Sequence, residues 1–256
     1  MLRKRIIFAL IYNNNYFMQS RNFRLQKVGN IHWLEKNYKF QDISFSLDEL
    51  LVLDATRELK NIDNFCETLK RLASQVFIPL TAGGGIRSMK DAKKLFKSGA
   101  DKLVINTILT ENITLVGEII NRYGSQSIVA SIDYKNDNGK LIPFINDGQR
   151  KCDIELKDYL LKVSEMGVGE IMLNSIDKDG TGFGYDLDVI KDLSVLIKQP
   201  LIIMGGAGNK LHLEQGVLID GVSAVATANL FNFIGNSLPN SRDYLLEKNY
   251  NLAKWR

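Results

Sequence analysis

The chain has 256 residues, 45% of them hydrophobic, with a formal net charge of +4. That length suits one well-buried core, no Pro/Ser-rich linker divides it, and no segment is long or apolar enough to span a membrane. The mild, dispersed basic excess argues against nucleic-acid binding and suits a handler of anionic metabolites, while the widely separated Cys66 and Cys152 point to free thiols in the cytoplasm, with neither metal nor cofactor expected.

In chain order, Met1-Leu-Arg-Lys-Arg5 followed by Ile6–Ile11 has the outline of a signal peptide. The apolar run is too short, however, and Asn13-Asn-Asn15 ends it without a small-residue cleavage site, so it reads as a first strand. Further strands are expected to start near Glu49, Pro79, Lys102, Ser127, Glu170, Pro200 and Ala224. Between them lie helical patterns over Ile62–Ser74, Met89–Ser98, Glu111–Tyr123, Leu156–Met166, Leu187–Ile197 and Leu211–Leu218. This βα alternation predicts a single (β/α)8 TIM barrel over residues 1–256, with half-barrels at approximately 1–122 and 123–256. A doubly wound open sheet is the alternative, but it leaves the internal duplication described below unexplained. Two connections are long. Asn13–Asn30 carries Arg21, Arg24 and Lys27, and Lys135–Asp153 contains Asn136-Asp-Asn-Gly139, a hairpin signal. Both follow strands, so both belong to the C-terminal face, as a substrate lid or as plainly solvated loops.

The duplication relates Pro79-Leu-Thr-Ala-Gly-Gly-Gly-Ile86 to Pro200-Leu-Ile-Ile-Met-Gly-Gly-Ala207, at an offset of 121 residues. A similar offset pairs Ile6-Ile-Phe-Ala-Leu-Ile11 with Ile128-Val-Ala-Ser-Ile-Asp133, so the second copy ends in an acid where the first ends in Ile11. Glycines at strand ends let backbone N–H groups approach an anion. One phosphate cradle is expected at Gly84, Gly85, Asn106 and Thr107. Its counterpart is expected at Gly205, Gly206, Ala228 and Asn229, with Asp179 and Gly180 beside it. A lone Gly-Gly pair also serves a plain turn; the doubled arrangement favours an elongated ligand with a phosphate at each end.

Carboxylates at strand C-termini can move protons when burial raises their pKa. Asp133 is the first candidate, with Asp54 and Asp179 behind it; Asp177 reads as a structural acceptor for backbone amides. His32 falls with the first long loop and His212 in a helix, so neither supports a metal site or histidine catalysis. At the opposite end, Arg5, Glu49, Lys102 and Glu170 each begin a strand. They form either a salt-bridge plug or a gate around an axial opening.

Several stretches carry a family resemblance: Met1–Ile7, Ala82-Gly-Gly-Gly-Ile86, Gly99-Ala-Asp-Lys102, Ile105-Asn-Thr107, Gly124-Ser-Gln-Ser127, Gly169-Glu170, Ser175-Ile-Asp-Lys-Asp-Gly-Thr181 and Gly205-Gly-Ala-Gly208. Over essentially its whole length the chain resembles the cyclase subunit of imidazole glycerol phosphate synthase. The resemblance implies a barrel with a glutaminase (HisH-like) subunit on its lower face and ammonia passing through to a bisphosphorylated ligand. It implies cyclisation by two aspartates ending strands one and five, a gate of Arg5, Glu49, Lys102 and Glu170, and a partner contact at Asp101. The departures gather at the chemistry: Ile11 for the strand-one aspartate, Gln19 for a lysine, Met204 for a serine and Asn174 for a threonine. An aliphatic side chain can neither give nor take a proton. The pattern is similar to cyclase-like paralogues found with surface-polysaccharide gene sets, which work with a glutaminase-like subunit and a sugar amidotransferase. The expectation is therefore an amidotransferase-complex subunit that conducts ammonia without ordinary cyclase chemistry. The alternatives are a histidine-pathway cyclase using Asp133 alone or with Asp54, and a non-catalytic scaffold or glutaminase activator.

Overall fold

Alternation along the first strand shows how the fold is built. Strand β1 (Arg5–Asn13) directs Ile7, Ala9 and Ile11 to one side and Ile6, Phe8, Leu10 and Tyr12 to the other, and all seven are buried. A strand covered on both faces is the mark of a parallel sheet wrapped by helices. The first set joins Leu51, Val104, Val129, Met172, Ile202 and Ala226 in an interior apolar layer. The second packs with helix residues such as Leu69, Leu95 and Ile119 in the larger outer core.

The computed structural model describes residues 3–38 and 44–254; Met1 and Leu2 of the stretch resembling the cyclase family lie outside them. After β1 come β2 (Glu49–Asp54), β3 (Leu80–Gly83), β4 (Lys102–Ile105), β5 (Ile128–Asp137), β6 (Glu170–Ser175), β7 (Leu201–Met204) and β8 (Val222–Thr227). Each pairs in parallel with the next, β8 returns to β1, and the sheet closes as a (β/α)8 barrel. Each strand starts within two residues of its expected position.

Differences from the sequence reading have local causes. The single helix expected over Glu111–Tyr123 is two, Ile108–Glu111 and Ile113–Tyr123. Asn112 leaves helical geometry between them and its side chain accepts from Leu115 N. Helices Ile31–Tyr38 and Ser237–Glu247 were not expected; the first carries His32, which therefore belongs to a helix rather than to the loop. Asn13–Asn30 is a hairpin, Tyr16–Arg21 against Arg24–Gly29, whose turn residues Asn22 and Phe23 both have positive φ. Such a turn usually announces itself with a glycine, and here none is present. The second hairpin follows its Asn-Gly signal: β5 runs antiparallel to Lys140–Ile145 about Asn138-Gly139.

At the lower end, Arg242 of the last helix donates to both oxygens of buried Asp48, at 2.9 and 3.0 Å, and Ile6 N donates to the same carboxylate at 2.8 Å. This clamp ties the last helix beneath β1 and β2.

Candidate functional site

The four charged residues that begin strands one, two, four and six meet on the barrel axis. Arg5 reaches Glu49 at 2.8 Å and Glu170 at 2.5 Å; Lys102 reaches the same two acids at 2.9 and 2.7 Å. Each base therefore holds both acids, and the ring closes on itself. Thr81 Oγ1 adds a 2.6 Å bond to Glu49. Burial opposes ionisation of Glu170, but the Arg5 and Lys102 cations outweigh it and hold the carboxyl below its usual range. Asp101 stands on this side of the barrel, exposed, with its carboxylate accepting from Leu80 N at 2.8 Å.

Above the ring the axis is filled by Ile7, Ala9, Leu51, Met172 and their neighbours, and then opens into a mouth at the strand C-termini. About 940 Å³ of space there is lined by Ile11, Asp54, Asn106, Asp133, Asn174 and Asp179, among others. Period two along β1 and β5 brings Ile11 and Asp133 into the same cavity. Asp133 is 9% exposed. Its Oδ1 accepts from Asn174 Nδ2 at 2.9 Å and lies 3.4 Å from Ser131 Oγ, and its Oδ2 lies 3.3 Å from Asn106 Nδ2. Burial pushes its carboxyl up to about 7, beyond what the Asn174 bond recovers. This carboxyl sits at the midpoint between acid and base near neutral pH. Asn174 Oδ1, on the other side of that amide, is buried without a partner among the described residues.

Asp54 and Asp179 line the same cavity but are engaged. Asp54 accepts from Thr56 N at 3.0 Å, and burial raises its pKa against the pull of Lys60. Asp179 accepts from Ser20 Oγ at 2.5 Å and Phe23 N at 3.0 Å, fastening the first hairpin across the mouth. Asp177 accepts from Asn136 N at 2.8 Å, the structural role expected of it. The hairpin tip meets the second excursion: Arg57 donates to Phe23 O at 2.6 Å and is 3.5 Å from Asp147 O, and Phe23 packs on Gly148.

The two glycine cradles occupy separate places. Gly84, Gly85, Asn106 and Thr107 line the large cavity, whereas Gly180, Gly205, Gly206, Ala228 and Asn229 line a smaller one of about 280 Å³, with Asp179 between the two. Gly84 has φ +103°, and a Cβ there would lie 2.1 Å from Asp54 O, so neighbouring backbone alone already requires glycine. The sequence reading missed Arg57, Lys60, Arg87 and Asp147 at this mouth. Arg87 directly follows the Gly83-Gly-Gly-Ile86 run, and that adjacency was the available signal; Lys60 and Asp147 lie in loops with no periodicity to mark them. Lys60 pairs with Asp147 at 3.2 Å.

Cys66 and Cys152 are buried and free. Among the described residues no cluster of His, Cys, Asp and Glu has metal-site geometry, and no helix is long and apolar enough to cross a membrane. His32 lies beside Glu35 and Arg71 on the surface, and His212 Nδ1 accepts from Gly208 N at 3.1 Å.

Residues 18–235 match a family described as "Histidine biosynthesis protein". The chain is 41% identical over 256 residues to a protein of Parasynechococcus marenigrum (strain WH8102) provisionally named imidazole glycerol phosphate synthase subunit hisF2; the match covers 100% of this chain and 95% of that one. It is 36% identical over 249 residues to imidazole glycerol phosphate synthase subunit HisF of Chloroherpeton thalassium, covering 97% and 98% of the two chains. It is 35% identical, with the same coverage, to subunit HisF of Chlorobaculum parvum.

Proposed function

The chain belongs to the histidine biosynthesis protein family as a HisF-like cyclase subunit, and from that premise we propose that it delivers ammonia rather than carrying out the cyclisation. A glutaminase subunit docks on the lower face, around Asp101 and the ring of Arg5, Glu49, Lys102 and Glu170. Opening that ring admits ammonia to the barrel axis. Neutral ammonia crosses the apolar layer of Ile7, Ala9, Leu51 and Met172 at little cost, whereas ammonium would lose its hydration there. At the mouth ammonia meets a phosphorylated ligand or the active site of a partner enzyme. The finer reading makes that partner a sugar amidotransferase serving surface polysaccharides.

The observation that carries this reading is Ile11. It is 7% exposed, packed among apolar neighbours, and shares its cavity with Asp133. A pair of end-of-strand carboxylates could divide acid and base roles, and one carboxyl facing an isoleucine cannot. The ion ring and the glycine cradles, which serve delivery and ligand capture, are kept.

The test supplies ammonia and the bisphosphorylated aminoimidazole-carboxamide ribonucleotide to the purified chain and measures imidazole product. No turnover is expected for the natural chain, and a gain is expected for Ile11→Asp. Robust turnover by the natural chain overturns the proposal. It would favour a histidine-pathway cyclase in which Asp133 acts alone or with Asp54, the reading supported by a carboxyl poised near 7 in the same cavity as Asp54. With the glutaminase and the ammonia-accepting partner enzyme both bound, Arg5→Ala or Lys102→Ala is expected to uncouple glutamine hydrolysis from formation of the partner's aminated product. Unchanged coupling would leave a scaffold or glutaminase activator.

A further inference from the structure

The two cradles are related by the internal offset, so a ligand with matching phosphates would require matching chemistry at both. The first cradle has it. Lys60, Arg57 and Arg87 line the cavity that holds Gly84 and Gly85, together with Asp54, Asp133, Asp147 and Asp179, and Lys60 is shared with Asp147. The methylenes of Lys60 fill the place where a Cβ on Gly85 would stand. Arg87 directs one donor to the Ile86 carbonyl at 3.2 Å and pairs with no acid among the described residues. Charge-assisted bonds from such groups are the strong component of phosphate binding.

The second cradle differs in two ways. Its only ionisable lining residue, among those described, is an acid, Asp179. Lys178 approaches Gly206 through its Cβ, with its charge acting on Asp186. Finally, Gln19 of the hairpin places Oε1 on Leu230 N at 2.9 Å. Asn106 and Thr107 match Ala228 and Asn229 at an offset of 122 residues, so the residue equivalent to Leu230 is Ile108, whose N–H has no acceptor among the described residues. The N–H groups of Gly205 and Gly206 have no acceptor among the described residues, and open neutral donors beside an acceptor carboxylate match hydroxyl groups better than a phosphate.

We propose that the ligand of this mouth carries a single phosphate, seated in the first cradle against Arg87 and Lys60, and presents a neutral polyhydroxylated end, such as a sugar, to the second. The bisphosphorylated ligand implied by the family resemblance is thereby replaced by a monophosphorylated one. The inference rests on the reading of this mouth as a phosphorylated-ligand site.

The experiment titrates the full-length protein calorimetrically with ribose 5-phosphate and with ribulose 1,5-bisphosphate, and counts bound inorganic phosphate by phosphorus NMR. One phosphate per chain is expected, with the two sugar phosphates binding within about threefold of each other, because the second phosphate finds no cation. Arg87→Gln is expected to weaken both by about tenfold or more, and Ala228→Asp, which adds a carboxylate to the second cradle, by less than about twofold. Two phosphates per chain, or a bisphosphate at least tenfold tighter and sensitive to Ala228→Asp, would overturn the inference alone. If none of the three probes binds, the phosphorylated-ligand reading falls as well, while ammonia coupling through Arg5 and Lys102 stands as a separate result.

Discussion

Replacing Asp133 by Asn probes the first candidate for proton chemistry among the buried carboxyls of this mouth. In the folded chain this group keeps its proton up to about pH 7, against an ordinary value of 3.8. Between those values the folded state holds a proton that the unfolded state has released. Stability therefore falls as pH rises through that window, and the loss is complete above the folded pKa. The rise corresponds to about 4 kcal/mol in total, at about 1.36 kcal/mol per pH unit. The substituted amide has nothing to titrate, so the variant lacks this slope. Its carbonyl oxygen can keep the bond from Asn174 Nδ2, while its NH2 would face Asn106 Nδ2, 3.3 Å from the present Oδ2. Asn106 retains the Ser131 and Phe144 carbonyls at 3.0 and 3.3 Å, so this adds only a pH-independent offset of about 1 kcal/mol. Urea unfolding followed by circular dichroism at pH 5, 6, 7 and 8 is the assay. The stability of Asp133→Asn relative to the natural chain is expected to rise by about 2–3 kcal/mol between pH 5 and 8. A difference that stays constant across that range would refute the assignment of a raised pKa to this carboxyl.

Other perturbations have equally direct readouts. Asp48→Ala removes a carboxylate that holds buried Arg242 and the Ile6 amide, and is expected to cost about 3–5 kcal/mol in urea unfolding. A loss under about 1 kcal/mol would show that the clamp is replaceable. Arg5→Ala leaves Glu49, 1% exposed, and Glu170 sharing Lys102 alone. A cost of about 2–3 kcal/mol is expected, below the fully buried range because Arg5 is itself 22% exposed in its side chain. Asp179→Ala releases Ser20 and the Phe23 amide together, so trypsin is expected to cut faster at Arg21 and Arg24 while the melting temperature moves little. Unchanged cleavage would show that Asn22, bonded to the Ile176 and Asp177 carbonyls, suffices to hold the hairpin.

The sequence determined the barrel, because short strands buried on both faces and spaced by amphipathic helices admit few other arrangements. It also placed Asp133, Ile11 and the four charged strand-starting residues, since a parallel barrel puts every strand start at one end and every strand end at the other. What it left out shares one physical cause. Helices Ile31–Tyr38 and Ser237–Glu247 and the Asn22-Phe23 turn carry weak local signals and are held by distant partners, as Asp48 holds Arg242 and Asp179 holds Phe23. Lys60, Arg87 and Asp147 come from loops of no regular period, and only closure of the barrel brings them to one mouth. The difference between the cradles was legible only in part: Arg87 stands next to its glycines in the sequence, but Lys60 and Gln19 reach their cradles only in the folded barrel. Matching glycines promised matching sites, but the cradles are furnished differently: Gln19 of the hairpin caps the turn at one, while Lys60 and Arg87 bring cations to the other, whose lining also holds Asp54, Asp133, Asp147 and Asp179. Internal repetition fixes backbone geometry, whereas the charge around it is set by whatever the tertiary fold carries across the mouth.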